Sequence, residues 1–279
     1  MRKYAMARER LRAADIFDFV EAPFASTQAI ELAHHPDYVR GFLAGTLDRG
    51  IVRRIGFPWS EGLVRRTLAS VGGSLAAAAD AIERGWGGNL AGGTHHAFPR
   101  EGSGFCVFND IAVVIRYLRA EGHVRRAAVI DLDVHQGDGT ALIFQDDADV
   151  FTFSMHARNN FPFRKQQSRI DIGLPDGSRD EEYLRELESA LPRAFEFAPG
   201  VVIYQSGVDG LACDSLGRLS LSIEGLRERD RQVFTACRQA GVPVLVTLGG
   251  GYSDPLDETV LAHANTYLMA ESILGGRGQ

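Results

Sequence analysis

The sequence predicts an α/β protein of three αβα layers built on a central, mostly parallel sheet. Two observations lead to this. Short, continuously apolar runs (Ala127–Ile130, Val150–Ser154, Val201–Gln205 and Pro243–Leu248) alternate with longer amphipathic stretches. Strands covered on both faces read as unbroken apolar runs, and parallel neighbours need a crossover helix between them. The second observation is where the polar residues fall. Asp131, Asp133 and His135 follow one apolar run, Ser206 to Asp209 another, and Gly249 to Tyr252 a third. Ligands of such sheets gather beyond the carboxyl ends of the strands.

In chain order, residues 5–14 read as a short helix and Pro36–Leu47 as a second that opens on its proline. A loop at 57–62 carries Trp59. The pattern over Leu63–Arg84 predicts a long helix, weakened locally by Gly72 and Gly73. A brief strand at Asn89–Ala91 then leads into Thr94-His95-His96. A glycine-bracketed loop, Glu101 to Phe105, precedes a helix over Asn109–Arg119. Further helices are expected at Arg179–Phe195, Ile223–Ala240 and Leu256–Ile273, between and after the later strands.

The 279 residues are 45% hydrophobic, which suffices for one large core, and no repeat or linker divides them. One domain over 1–279 is expected. A formal charge of −6 without a Lys/Arg cluster argues against a nucleic-acid partner. Cys106, Cys213 and Cys237 are odd in number and widely spaced, which speaks against a disulfide framework or a cysteine zinc knuckle. The opening MRKYAMARERLRAADIF lacks a signal peptide's apolar run, and no segment has the length of a membrane span. No membrane partner and a reducing, cytoplasmic setting follow as expectations. The oligomeric state is not legible.

The chemistry is organised around Val129–Thr140, VIDLDVHQGDGT. A strand's period of two would put Asp131, Asp133 and His135 on one face, before Gly137 and Gly139 break it with Asp138 between them. Two carboxylates and an imidazole at a strand end make a poor core and a good metal site. Asp209, after the next apolar strand, would complete an O,N,O set. Taken alone it reads better as a helix cap or turn residue, and its weight as a ligand comes from its place after an apolar strand, matching Asp133. The adjacent His95 and His96 sit at a strand end, with Asp131 and Asp138 as spare carboxylates to orient imidazoles. Tyr252 follows three glycines and either reaches into a cleft or packs under its loop. Phe105 and Phe161, in loops, either wall a slot for an aliphatic chain or simply pack.

The segments GGTHHAF, GSGFCVFNDIAV, VIDLDVHQGDG, SGVD and LGGGY occur in that order between Gly92 and Tyr252. Together they resemble the histone deacetylase superfamily, with its arginase/deacetylase-like fold, acetoin-utilisation proteins and acetylpolyamine amidohydrolases. Gln136, where many members have a second histidine, looks like the class IV branch. The resemblance implies a Zn2+ ion on Asp133, His135 and Asp209. It implies that His95 and His96 handle protons, backed by Asp131 and Asp138, and that Tyr252 polarises the substrate carbonyl. Gly104 would offer its carbonyl to the substrate, and Phe105 and Phe161 would line an acyl-lysine tunnel. A structural K+ ion is implied at Asp131, Asp133, His135, Ser154 and Met155, largely through backbone carbonyls. Two departures stand out. Similar proteins usually carry a first strand and a loop before the point where MRKYAM begins, so either the start is misassigned or an N-terminal first strand, part of the sheet edge and pocket rim, is absent. The segment GLACDSLGRL also lacks the Pro-Tyr pattern of close bacterial relatives.

The implied function is zinc-dependent removal of an acyl group from acyl-lysine or another acylated amine, acetylpolyamines included. A dimanganese ureohydrolase on the same fold would need carboxylates where Gly137 and Leu211 stand, and is rejected. A catalytically silent acyl-lysine binder is the rival from another class. The presence of all the candidate catalytic residues argues against it.

Overall fold

A computed structural model describes residues 2–276; Met1 and residues 277–279 of the expected domain lie outside them. Six strands form one parallel sheet: β1 (Trp86–Asn89), β2 (Ala127–Asp131), β3 (Val150–Ala157), β4 (Ile170–Leu174), β5 (Val201–Gln205) and β6 (Val244–Thr247). Their order across the sheet is β1-β6-β5-β2-β3-β4. The helices are α1 (Arg2–Arg12), α2 (Thr27–Glu31), α3 (Pro36–Ala44), α4 (Arg49–Ile55), α5 (Glu61–Arg84) and α6 (Asp110–Ala120). They continue with α7 (Asp138–Phe144), α8 (Asp180–Ala190), α9 (Pro192–Glu196), α10 (Ile223–Ala240) and α11 (Asp257–Leu274).

The apolar strands are unbroken because both faces are covered. Ala128, Ile130, Val202, Tyr204, Val244 and Val246 point into one core with α8, α10 and α11. Their neighbours Ala127, Val129, Val201, Ile203 and Leu245 point into the other, with α2, α3, α5 and α6. Each fully buried Val, Leu or Ile contributes about 1.5–3 kcal/mol. The expected three-layer architecture is therefore the observed one.

The topology also locates a crevice. After β2 the chain moves outward to β3 and β4, then returns to lay β5 on the other side of β2, with Asp131 in register with Gln205. Chain segments leaving β2 and β5 diverge, so their carboxyl ends open a cleft at this switch point.

Several boundaries differ from expectation. The first strand is Trp86–Asn89, short of Leu90 and Ala91. The single helix expected over Arg179–Phe195 is two, α8 and α9, because Pro192 lacks the N–H that would continue the first. Gly72 and Gly73 do not break α5, which runs unbroken from its Ser60 cap. A Cβ at Gly72 would lie 1.9 Å from the Pro23 carbonyl, so this glycine lets the 23–25 segment lie against the helix. The short α4 and α7 and the edge strand β4 were not expected. Among the described residues no helix is long and apolar enough to cross a membrane.

Candidate active site and metal centre

β2 ends at Asp131, so Asp133 and His135 do not share a strand face as the alternation predicts. They converge by another device. Asp131 Oδ1 accepts the Asp133 N–H at 3.2 Å, and Asp133 Oδ1 accepts the His135 N–H at 3.0 Å. Two successive side-chain-to-backbone turns curl the chain, a habit of aspartate that competes with strand structure. Asp209 enters from the end of β5, and its Oδ1 accepts the Val134 N–H at 2.9 Å. The backbone between two candidate ligands thus fixes the third.

The donor atoms of Asp133, His135 and Asp209 all lie within 4.8 Å of one another. His135 Nδ1 stands 3.0 Å from Asp133 Oδ1 and 3.1 Å from Asp209 Oδ2. Burial opposes a charged imidazole here, but the two carboxylates outweigh it and raise His135 to about 10. Asp209 is raised to about 6 by burial and by Asp133. Asp133 is held well below the usual carboxylate range: burial opposes this, and the charges of His95 and His135 win. Asp133 Oδ2 also accepts from Gly250 N at 2.9 Å and from Gln205 Nε2 at 3.1 Å. A Cβ at Gly250 would lie 1.8 Å from Asp209 Oδ2, so only glycine lets this loop press on both carboxylates. Beneath them, the fully buried Arg229 pairs with Asp230 at 2.8 Å and donates to the carbonyls of Gly207 at 2.6 Å and Ser206 at 3.3 Å. A third, longer bond reaches the Leu132 carbonyl, so the guanidinium ties together the two strand ends that carry the candidate ligands.

The two adjacent histidines are buried side by side, with ring centroids 4.1 Å apart. His95 Nδ1 lies 2.7 Å from Asp131 Oδ2, and His96 Nδ1 lies 2.6 Å from Asp138 Oδ1. Burial alone would depress both. For His95 the charges of Asp131 and Asp133 prevail and raise it to about 9. For His96 burial and the neighbouring His95 prevail over Asp138 and lower it to about 4. The turn that presents the pair is held by Asp110, which accepts from Gly93 N at 3.1 Å and Thr94 N at 2.7 Å.

His95, His96, Gly104, Phe105, Asp133, His135, Phe161, Asp209 and Tyr252 line one cavity, while Asp131 and Asp138 stand behind it. Phe161 packs edge-on against His96 at 4.9 Å between centroids. Phe105 is 47% exposed at the mouth, against Phe57. The Gly104 carbonyl accepts from Cys106 Sγ at 3.4 Å, and a Cβ at Gly104 would touch both His96 and Phe161. Tyr252 is half-buried; burial, Asp209 and Asp133 push its phenol well above its ordinary value. For the expected K+ site, Asp131 pairs in register with Ser154, and Ser154 Oγ lies 3.0 Å from His156 Nδ1.

Sequence reasoning missed several residues of this site. Lys3 Nζ donates to the Gly249 carbonyl at 2.9 Å and the Gly251 carbonyl at 3.3 Å, and lies 4.8 Å from the Tyr252 ring centroid. Burial lowers it to about 8, against Asp209, Asp133 and Asp214. Asn160 joins two walls, donating to the Leu216 carbonyl at 2.7 Å and accepting from Arg218 N at 2.9 Å. Gln205 gave the one readable signal, a polar residue closing an apolar strand as Asp131 does.

The chain matches the family described as Histone deacetylase domain over residues 1–268. It is 47% identical over 245 residues to an uncharacterized protein of Picosynechococcus sp., covering 88% of this chain and 82% of that one. With Acetoin utilization protein AcuC of Bacillus subtilis it shares 32% identity over 267 residues, 87% of this chain and 68% of the relative. A crystal structure of an HDAC homolog complexed with SAHA superposes with a TM-score of 0.79 at 28% identity, over 99% of this chain and 77% of that one.

Proposed function

Because the chain belongs to the histone deacetylase family, we propose that it is a zinc-dependent amidohydrolase that removes an acyl group from acyl-lysine or a related acylated amine. The observation that carries this reading is the convergence of the Asp133–His135–Asp209 cluster, the His95/His96 pair and Tyr252 on one cavity. Acetoin utilization and binding of SAHA are what the relatives' names attach to those proteins; the second supports an acyl-lysine-like site here.

The donor set fits the ion. Two carboxylates share one imidazole nitrogen between them, so the cluster already holds a positive charge at its centre when His135 is protonated. Zinc catalytic sites use three N/O ligands and keep one position open. The carboxylates a second metal would need are replaced by Gly137 and Leu211. A zinc ion on Asp133, His135 and Asp209 supplies Lewis acidity toward a carbonyl oxygen and a water.

The chain's own residues do the rest. His96, neutral at pH 7, takes a proton from the attacking water and returns one to the leaving amine. Its Nδ1 is engaged by Asp138, which leaves Nε2 for the reaction. His95, kept positive beside it by Asp131, adds charge that favours the developing anion. Tyr252 keeps its phenolic proton and donates it to the tetrahedral oxyanion. Phe105 and Phe161 wall the aliphatic part of the substrate, and Gly104 offers a carbonyl at its edge. A K+ ion at Asp131, Asp133, His135, Ser154 and Met155 belongs to the same reading, supported by the Asp131–Ser154 register. Gln136 supports placement in the class IV branch, and the free thiols of Cys106, Cys213 and Cys237 support a reducing, cytoplasmic setting.

Zinc-loaded protein assayed against acyl-lysine peptides of several chain lengths and against acetylpolyamines tests the proposal. Metal-dependent release of the acyl group from either class is expected. No turnover on any of them, with substrate bound, would replace hydrolysis by an acyl-lysine reader.

A further inference from the structure

The segment from Ala212 to Arg218 was notable in the sequence only for what it lacked. In the structure it carries a carboxylate with a specific job. Asp214 Oδ2 accepts the Tyr252 backbone N–H at 2.6 Å. Its other oxygen, Oδ1, accepts the N–H groups of Leu216 and Gly217, both at 2.9 Å. The Ser215 N–H returns the contact to the Tyr252 carbonyl at 3.3 Å, and Asp214 forms a bridge with Ser253. Both backbone polar groups of Tyr252 are therefore held by Asp214 and its neighbour. The turn is itself fixed, since a Cβ at Gly217 would lie 1.7 Å from the Asp209 carbonyl. The loop that seats the phenol thus rests on the backbone of a candidate metal ligand.

We propose that Asp214 is a positioning residue that seats Tyr252 over the reaction centre. The idea rests on the reading of Tyr252 as the oxyanion donor and goes beyond it by naming what holds that donor in place. Asparagine is isosteric with aspartate but offers only one acceptor oxygen. In Asp214→Asn its NH2 group must face either the Tyr252 N–H or the two N–H groups of the turn, donor against donor. The phenol then loses its fixed position while the metal ligands keep theirs.

The test is a double-mutant cycle of Asp214→Asn and Tyr252→Phe in zinc-loaded protein, alongside amide hydrogen exchange. In the wild-type background Asp214→Asn should lower kcat by roughly tenfold to a hundredfold, the scale of a ~1 Å misplacement, with little change in KM. In the Tyr252→Phe background, where no hydroxyl remains to be placed, the same change should cost less than about threefold. An equal loss in both backgrounds, or no loss in either, overturns the proposal. The exchange measurement needs no turnover. In wild type the Tyr252 amide should be protected, and Asp214→Asn should release that protection. Exchange at the rate of a free loop in wild type also overturns it. A protected Tyr252 amide in a protein that hydrolyses none of the acylated amines would instead count against the reaction and leave the seat standing.

Discussion

His95 and His96 are consecutive residues whose rings lie 4.1 Å apart, yet they are driven to opposite protonation states. One is raised to about 9 and the other lowered to about 4. Titratable neighbours pushed apart in this way divide the labour of acid–base chemistry.

The division has a pH signature. His96 loses its capacity to accept a proton as pH falls through about 4. His95 loses its positive charge as pH rises through about 9. With the metal site saturated, the acid limb of kcat/KM is expected well below neutral pH, where His96 gains its proton. A bound cation offsets the Asp133 charge that helps raise His95, and so moves the alkaline limb below its metal-free position. His96→Ala should lower kcat by ~10²–10⁴, the usual contribution of a general base. An acid limb near pH 7 in the metal-saturated wild type would assign the proton transfer elsewhere.

In the proposed metal centre, His135 would make metal uptake a proton exchange. It is raised to about 10 by the hydrogen bonds of Asp133 and Asp209, which overcome burial. A ligand must give up its proton, so at neutral pH binding of one ion should release about one proton. Apparent affinity should rise ~tenfold per pH unit between about 6, below which Asp209 also holds a proton, and the His135 value. Calorimetry in buffers of different protonation enthalpy measures the release, and elemental analysis should find one transition metal per chain. Asp133→Ala or Asp209→Ala should abolish turnover with the fold retained. Two tightly bound transition metals, or no proton released, would contradict the ligand set.

The parts of this architecture that are local in sequence were readable. β2 and β5 announce themselves as apolar runs, and Asp131, Asp133, His135 and Asp209 stand within a few residues of their ends. What was lost is non-local or marginal. Lys3 meets Gly249 across 246 positions, and no local pattern marks it. The pairing of Asp214 with Tyr252 spans 38. β4, Ile170–Leu174, holds an Asp and a Gly and becomes a strand only by pairing along the edge of β3. The Asp133–His135 alternation suggested strand geometry, but aspartate side chains captured the backbone amides and ended β2 early. The same residues therefore meet, for a different physical reason.

Gln136 offers a contrast in kinetics. Its Nε2 donates to the Gln166 carbonyl and to Asp171 Oδ1, both at 2.7 Å, and its Oε1 accepts from Gln166 N at 2.9 Å. These bonds tie the loop bearing Phe161 to β4. Gln136→Ala should cost about 0.5–1.5 kcal/mol in stability per lost bond, because Gln166 and Asp171 are within reach of water and can replace their partner. With the aromatic wall loosened, KM should rise more than kcat falls, the mark of lost uniform binding. Steady-state kinetics together with a melting curve check both. A fall in kcat at constant KM would place Gln136 in the chemistry.

Tyr252→Phe carries the most information about the reaction. The backbone of Tyr252 is held by Asp214 and Ser215, and its ring lies beneath the Lys3 ammonium, which in turn grips the Gly249 and Gly251 carbonyls. Phenylalanine keeps all of these contacts, since every one is made by backbone or ring. Only the hydroxyl is removed, and that hydroxyl stays protonated because burial, Asp209 and Asp133 oppose its ionisation. An oxyanion donor acts in the transition state, so kcat should fall by ~10²–10³. KM should change little, and the melting temperature should not move. Kinetics of the metal-loaded variant decide the matter: a kcat within about threefold of wild type, the scatter of a neutral surface change, would make Tyr252 a packing residue.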